Sequence, residues 1–99
     1  MADLSYSTGN VFEDLGFSKE EAENLKVRSV LMAGIRRIIE AEGITQREAA
    51  DRFGVTQPRI SDLVRGKIEL FSIDSLINML ATAGHHVEIS VAVDSDRAA

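Results

Sequence analysis

Apolar residues recur at helical spacing along most of the chain, and this pattern predicts a mainly α fold. The clearest case is residues 19–42, where Ser18 is placed to cap a long helix and Gly43 to end it. Asn24 or Gly34 could interrupt the pattern, so this stretch predicts either one helix or two. The apolar stripe that would face the core consists of Val27, Leu31, Ile35, Ile38 and Ile39.

The sequence of residues 45–67 predicts two short helices joined by a three-residue turn, which is the layout of a helix-turn-helix. Thr45 and Glu48 have the spacing of a capping box at the start of the first helix. Gly54 is expected to end that helix, because glycine adopts the left-handed conformation without a Cβ penalty. Thr56 is placed to cap the second helix. Pro58 fits its first turn, where backbone N–H groups have no helical partner.

The second of these helices leaves a polar and basic face toward solvent. Its apolar residues Ile60, Leu63 and Val64 share one side and are expected to face the core. Gln and Arg side chains are suited to bidentate pairing with adenine and guanine edges in the major groove. We therefore interpret the remaining positions of the helix as candidate DNA contacts. They are Gln57, Arg59, Ser61, Asp62 and Arg65.

The segments that flank the helix-turn-helix predict one more helix and two extended pieces. Ser72 is placed to cap a helix that Gly84 ends. In residues 86–93 the period changes to two, which predicts a strand with one buried face. A strand needs a partner, so it would pair with its copy in a second subunit, with residues near Val11, or with both. Residues 10–12 predict a short extended piece.

Together these elements predict a compact, mainly α helix bundle with a central helix-turn-helix and a short C-terminal β-strand that pairs across a dimer. A chain of 99 residues has room for a single small core. We divide it into an N-terminal extension at 1–17, a helix-turn-helix domain at 18–84, a dimerisation strand at 85–93 and a disordered tail at 94–99.

The net charge of −5 argues against nucleic-acid binding only when it is averaged over the whole chain. Residues 45–67 hold five basic and three acidic side chains, a net charge of +2, so the other 76 residues carry −7. A locally basic unit on an acidic body suits a DNA binder of modest non-specific affinity, or one that also meets a basic protein. An ordinary acidic surface is the alternative interpretation.

Catalytic and metal-binding functions find little support in the sequence. The chain has no cysteine, which excludes a thiolate nucleophile and a cysteine metal site. His85 and His86 are adjacent and have no further histidine to complete a metal site, so we interpret them as structural or solvated. Helix capping explains Ser72, Asp74 and Ser75 without nucleophilic chemistry. We therefore expect no enzyme activity, no cofactor and no metal.

No apolar run approaches the roughly 20 residues of a membrane span, and the N-terminal residues lack the basic and apolar segments of a signal peptide. We therefore expect a cytoplasmic protein without membrane contact. The absence of cysteine fits a reducing compartment.

The central pattern resembles the lambda-repressor and Cro-like (XRE) helix-turn-helix family over residues 44–84. More narrowly, the long first helix, the segment SDLVRGK, the helix start FSIDSL and the short terminal strand resemble small HigA-type antitoxins over nearly the whole chain. The positions that match the XRE motif are Gln46, Ala50, Gly54, Val55, Thr56, Ile60 and Leu63, followed by Arg65, Gly66 and Lys67.

The resemblance implies a role for each matching position. Gln46 would bind a phosphate, and Gln57 would be the principal reader of bases. Pro58 and Asp62 depart from the amide side chains that are common at these points. Proline has no side-chain group to bond a base, whereas aspartate would accept from a cytosine amine or orient Arg59. The operator sequence is therefore not implied.

The remaining contacts implied by the resemblance divide between bases and the DNA backbone. Arg59, Ser61 and Asp62 occupy positions that read bases or neighbouring phosphates in the family, and Arg65 and Lys67 occupy positions where backbone contacts are usual. The full candidate DNA-binding set is Gln46, Thr56, Gln57, Pro58, Arg59, Ser61, Asp62, Arg65 and Lys67.

Two hypotheses for function follow from these observations. In the first, a homodimer binds a palindromic operator on double-stranded DNA and represses its own operon, as the antitoxin of a toxin-antitoxin pair. In the second, the chain is mainly a protein-binding antitoxin whose acidic surface or N-terminal helix masks a basic toxin, with DNA binding secondary or absent. A two-helix scaffold without DNA binding is the structural alternative.

Overall fold

Residues 10–93 are the part of the chain that the structure, a computed structural model, describes. The predicted tail and most of the predicted N-terminal extension lie outside the described residues. None of the described helices is long and apolar enough to cross a membrane. The elements are α1 (Val11–Asp14), α2 (Lys19–Glu42), α3 (Gln46–Phe53), α4 (Gln57–Val64), a short 3-10 turn (Ile68–Leu70) and α5 (Ile73–Thr82).

The α2 stretch forms one uninterrupted helix of 24 residues, which decides between the two predicted arrangements. The Ser18 hydroxyl accepts a hydrogen bond from the Glu21 backbone N–H at 3.1 Å, and Gly43 ends the helix in the left-handed conformation. The predicted stripe faces the core except at Val27, which is 37% exposed. The fully or nearly buried residues of α2 are Ala22, Leu31, Met32, Ile35 and Ile39.

The predicted extended piece at residues 10–12 is wrong, because Val11 and Phe12 lie in the one-turn helix α1. The Asn10 side chain accepts from the Phe12 backbone N–H at 3.0 Å and so caps the turn. Phe12 and Phe17 then meet edge to face, with ring centroids 6.3 Å apart. A helical Val11 is not an extended partner for the predicted terminal strand.

The core lies where α2, α3, α4 and α5 meet. The helix predicted from Ser72 is confirmed as α5, and Ser72 and Ser75 cap it reciprocally through their hydroxyl groups. Burial of this core fixes α4 against the bundle, because the inward side chains of α4 are among its members. The largest fully buried residues are Ile35, Phe53, Ile60, Leu63, Phe71 and Leu76.

The segment predicted as a strand, residues 85–93, has no strand structure in the described chain. Strand geometry requires a ladder partner, and within residues 10–93 no strand lies beside this segment. Val87 packs against the core, whereas Ile89, Val91 and Val93 are 74%, 94% and 77% exposed. The apolar residues of the alternation are therefore divided between the core and solvent.

Candidate nucleic-acid interface

The helix-turn-helix predicted from residues 45–67 is confirmed, since α3 and α4 are joined by a turn of three residues. Thr45 and Glu48 form both hydrogen bonds of the capping box. Gly54 ends α3 with a φ of +72°. A Cβ atom at Gly54 would lie 3.0 Å from the Thr82 methyl carbon, so the turn also packs closely against α5.

The capping box has an electrostatic consequence at the start of α3. Hydrogen bonds from the backbone and then the side chain of Thr45 lower the pKa of the Glu48 carboxyl below its ordinary value. This cap therefore stabilises the fold when the pH is above the ordinary carboxyl pKa, and the contribution disappears as the pH falls through the lowered value.

The N-terminal end of α4 is exposed to solvent. Thr56 caps it by accepting from the Arg59 backbone N–H at 3.3 Å, and Pro58 lies in the first turn as predicted. Gln57 and Pro58 are exposed, whereas Ile60 is fully buried on the opposite side. The Gln57 amide, which is suited to reading an adenine edge, is therefore accessible on a helix that is anchored in the core.

Arg59 is not as free as the sequence pattern suggests. Its guanidinium carbon lies 4.3 Å from the centroid of the Phe71 ring, a cation–π arrangement, and the residue is half-buried. Its side chain therefore runs toward the segment between α4 and α5 and not directly away from the bundle. Neither Phe71 nor this contact is part of the predicted site.

At the other end of α4, Asp62 lies beside two of the candidate phosphate contacts. One Asp62 carboxylate oxygen is 3.9 Å from both the Arg65 Nη2 and the Lys67 Nζ atoms. The Arg65 and Lys67 side chains are 59% and 43% exposed, so both cations remain accessible to an anion. Ion pairs of this length and exposure are weak, and a phosphate could compete for them.

Gln46 and Ser61 are less exposed than Gln57. Gln46 is the first residue of α3 and is half-buried. Ser61, on the side of α4 between Gln57 and Arg65, is half-buried as well. The structure therefore places the predicted residues on α3, on α4 and directly beside the two ends of α4. The exposed ones are Thr56, Gln57, Pro58 and Arg65.

Comparison with known protein families matches residues 11–92 to a family described as a helix-turn-helix domain. The chain belongs to this helix-turn-helix family. The match spans α1 to α5 of the helix-turn-helix protein and extends into the segment after Gly84.

A solved structure provisionally described as an XRE family transcriptional regulator is similar to this helix-turn-helix protein. The two share 29% sequence identity with a TM-score of 0.68, over 76% of this chain and 84% of the other. No curated protein matches the sequence. These comparisons agree with the predicted resemblance to the XRE family and do not test the narrower resemblance to HigA-type antitoxins.

Replacing Arg65 with alanine is expected to weaken binding to all duplex sequences alike, because a cation that meets a phosphate carries no sequence information. The slope of log affinity against log salt should fall by roughly one unit. The measurement is a fluorescence anisotropy titration at several salt concentrations. Arg37→Ala, which removes an exposed cation from α2, is the control and should leave the slope nearly unchanged. An unchanged slope for Arg65→Ala excludes the phosphate contact.

Proposed function

We propose that this helix-turn-helix protein is a transcriptional repressor that binds a palindromic operator as a homodimer and regulates its own operon. It acts in the cytoplasm on double-stranded DNA, without a cofactor or an enzymatic activity. The observation that carries the proposal is the exposed first turn of α4, with Gln57 accessible and Ile60 fully buried behind it. Family membership and the similarity to an XRE family regulator support it.

In this proposal the two ends of the interface have different roles. Gln57 reads a base edge in the major groove, and Gln46 binds a neighbouring phosphate. Arg65 and Lys67, accessible beside Asp62, neutralise phosphates. The remaining contacts come from the first turn and the middle of α4, namely Thr56, Pro58, Arg59, Ser61 and Asp62.

The dimer is supported by the C-terminal segment. Ile89, Val91 and Val93 alternate with smaller or polar residues, and all three side chains are largely exposed in the single chain. Pairing this segment with its copy as two strands would satisfy the backbone groups and cover the apolar side chains. Two copies of α4 about one DNA turn apart, roughly 34 Å, would then reach successive major grooves.

Footprinting of the native upstream region at low salt tests the proposal. We expect a protected palindrome whose half-site centres are about one helical turn apart. Gln57→Ala should weaken the protection, whereas Asn78→Ala, which removes an exposed amide from α5, should leave it intact. The absence of any protected site for the wild-type protein would contradict the proposed function.

On operator DNA, Gln57→Ala is expected to cost about 1 to 3 kcal/mol, because a bidentate amide contact to a base edge is lost. On random duplex DNA the expected change is small, since phosphate contacts dominate non-specific binding. Parallel titrations of the two duplexes with the wild-type protein and the variant measure the difference. Equal losses on both duplexes would refute the assigned role of Gln57.

A second candidate function, masking of a basic toxin, is favoured by the surface around α1. Val11 and Leu15 are 62% and 69% exposed beside the acidic residues Glu13 and Asp14. An adjacent groove of about 590 Å³ runs between the first turns of α2 and the 3-10 turn. The groove is lined by apolar residues, three carboxylates, one amide and one cation, so its charged side chains are acidic on balance. They are Phe17, Leu25, Ile68, Glu20, Glu21, Glu69, Asn24 and Arg28. Such a surface complements a basic protein whose contact surface has an apolar centre.

Co-purification with the product of an adjacent open reading frame tests this second function. The Val11→Lys, Leu15→Lys double variant should release the neighbour, since it places two cations where a basic partner would dock. Gln57→Ala should retain the neighbouring protein and bind the operator more weakly, so the two variants separate the two activities. A neighbour that neither binds nor is neutralised would refute toxin masking.

A further inference from the structure

Arg28, on α2, is connected to the DNA-reading helix through the segment that follows it. Its Nη1 atom donates to the backbone oxygens of Ile68 and Phe71, at 3.3 Å and 3.2 Å. Its Nε atom donates to the Asn24 side-chain oxygen at 2.8 Å, which fixes the orientation of the guanidinium group. Charge-assisted hydrogen bonds from one planar group to two carbonyls hold the backbone at the first residue of the 3-10 turn and at the residue that follows the turn.

The backbone that Arg28 holds carries the aromatic ring on which Arg59 lies. Phe71 is 2% exposed, so its ring has one position in the core, and the Arg59 guanidinium carbon is 4.3 Å from the ring centroid. A ring that covers one face of a guanidinium leaves the N–H donors in the plane free. Arg59 is half-buried, and Arg28 and Arg59 line the same groove of about 420 Å³ beside Phe71.

We propose that Arg28 is a positioning residue for DNA recognition, which acts by holding Phe71 beneath Arg59 so that the Arg59 donors face the duplex in a fixed orientation. This inference rests on the proposed function. The ligand is a planar pair of acceptors on the duplex, either a guanine O6/N7 edge or a phosphate. An arginine that is already ordered loses less conformational entropy when it binds, so the contact is stronger than that of a free side chain.

A double-mutant cycle on operator DNA tests the connection. Arg28→Gln is expected to weaken binding about three- to tenfold in the presence of Arg59, the size typical of coupled residues. In an Arg59→Ala background, Arg28→Gln should have almost no further effect. If the two losses multiply, the residues act independently and the proposal is overturned.

Arg36→Gln provides the matched control, because it removes the same charge from an exposed position on the same helix. A loss equal to that of Arg28→Gln would show a long-range charge effect and would overturn the positioning role. All titrations are made at a temperature where circular dichroism shows each variant to be fully folded, so loss of folded protein does not enter the comparison.

The position of Arg59 is also measurable without DNA. A proton above an aromatic ring resonates upfield, so the Arg59 Nε–H proton of the wild-type protein should be shifted upfield, and Phe71→Leu should abolish this shift. Arg28→Gln should move the resonance most of the way to its position in Phe71→Leu. An unchanged resonance in Arg28→Gln would overturn the proposal even if operator affinity falls.

Two substituted duplexes distinguish the sources of the acceptor pair. If Arg59 contacts a guanine edge, replacement of that guanine by 7-deazaguanine should reduce the affinity as much as Arg59→Ala does. If Arg59 contacts a phosphate, replacement of that phosphate by a methylphosphonate should have this effect instead. If neither substitution does, Arg59 has no such contact and the proposal fails. If the wild-type protein binds no duplex, both the proposed function and the positioning role fail. If it binds normally and the cycle is additive, only the positioning role fails.

Discussion

Replacing Ile60 with alanine is expected to lower the free energy of unfolding by about 2 to 5 kcal/mol. Ile60 is fully buried on the inner side of α4, and removal of three carbons leaves a cavity that the packed helices fill only in part. Small domains typically have about 5 to 15 kcal/mol of stability, so the loss is a large part of the total. Urea unfolding followed by circular dichroism measures the loss, at a single protein concentration because the proposed dimerisation would contribute to stability.

A graded pair of substitutions controls this experiment. Ile60→Val removes one carbon and should cost about 0.5 to 1.5 kcal/mol. Leu15→Ala removes three carbons from a side chain that is 69% exposed, and should change the stability by less than about 0.5 kcal/mol. If Ile60→Ala were as mild as Leu15→Ala, α4 would not be anchored through Ile60, and the rigid presentation of Gln57 would lose its basis.

The helix-turn-helix could be predicted from the sequence because its signals act over short distances. The pairing of Thr45 with Glu48 spans one turn, and Gly54 ends α3 through its own backbone conformation. The positions of Ile60 and Leu63 follow from the helical period, and both are fully buried. In each case the residues that determine the structure are neighbours along the chain.

The orientation of Arg59 could not be predicted, because it depends on residues that are distant in sequence. The pattern placed Arg59 on a solvated face, yet its side chain lies over Phe71, whose backbone is held by Arg28. The carbonyl groups that Arg28 binds are 40 and 43 residues away along the chain. Arg59 lies on the polar side of α4, and the neighbouring residues in the sequence do not indicate that it contacts a distant aromatic ring.

The two extended pieces show a different limit of pattern analysis. Residues 10–12 are too few to define a period, and Asn10 determines the outcome as a helix cap. In residues 86–93 the period of two is clear, but a strand also requires a ladder partner. Val87 packs on the core of its own chain, which the alternation alone could not separate from packing on a second subunit.

Placing lysine at Ile89, Val91 and Val93 together is expected to convert a dimer into a monomer and to lower operator affinity by about 100-fold or more. Three cations replace apolar side chains that a paired strand would cover, and their burial without partners is unfavourable. A dimer gains about 10² to 10⁴ in affinity from simultaneous engagement of two half-sites, and the monomer loses this gain. Light scattering after size-exclusion chromatography measures the oligomeric state, and anisotropy titrations measure the affinity.

The alternate residues of the same segment supply the control. Lysine at His86, Ser90 and Ala92 adds the same three charges on the opposite side of the predicted strand and leaves Val87 in its core contact. Because added cations favour DNA binding in general, only the difference between the two variants reports on dimerisation. We expect the control to remain dimeric with full operator affinity. Monomers of the first variant that bind the operator as tightly as the wild-type protein would contradict the dimer, and Gln57 would then have to read a single half-site.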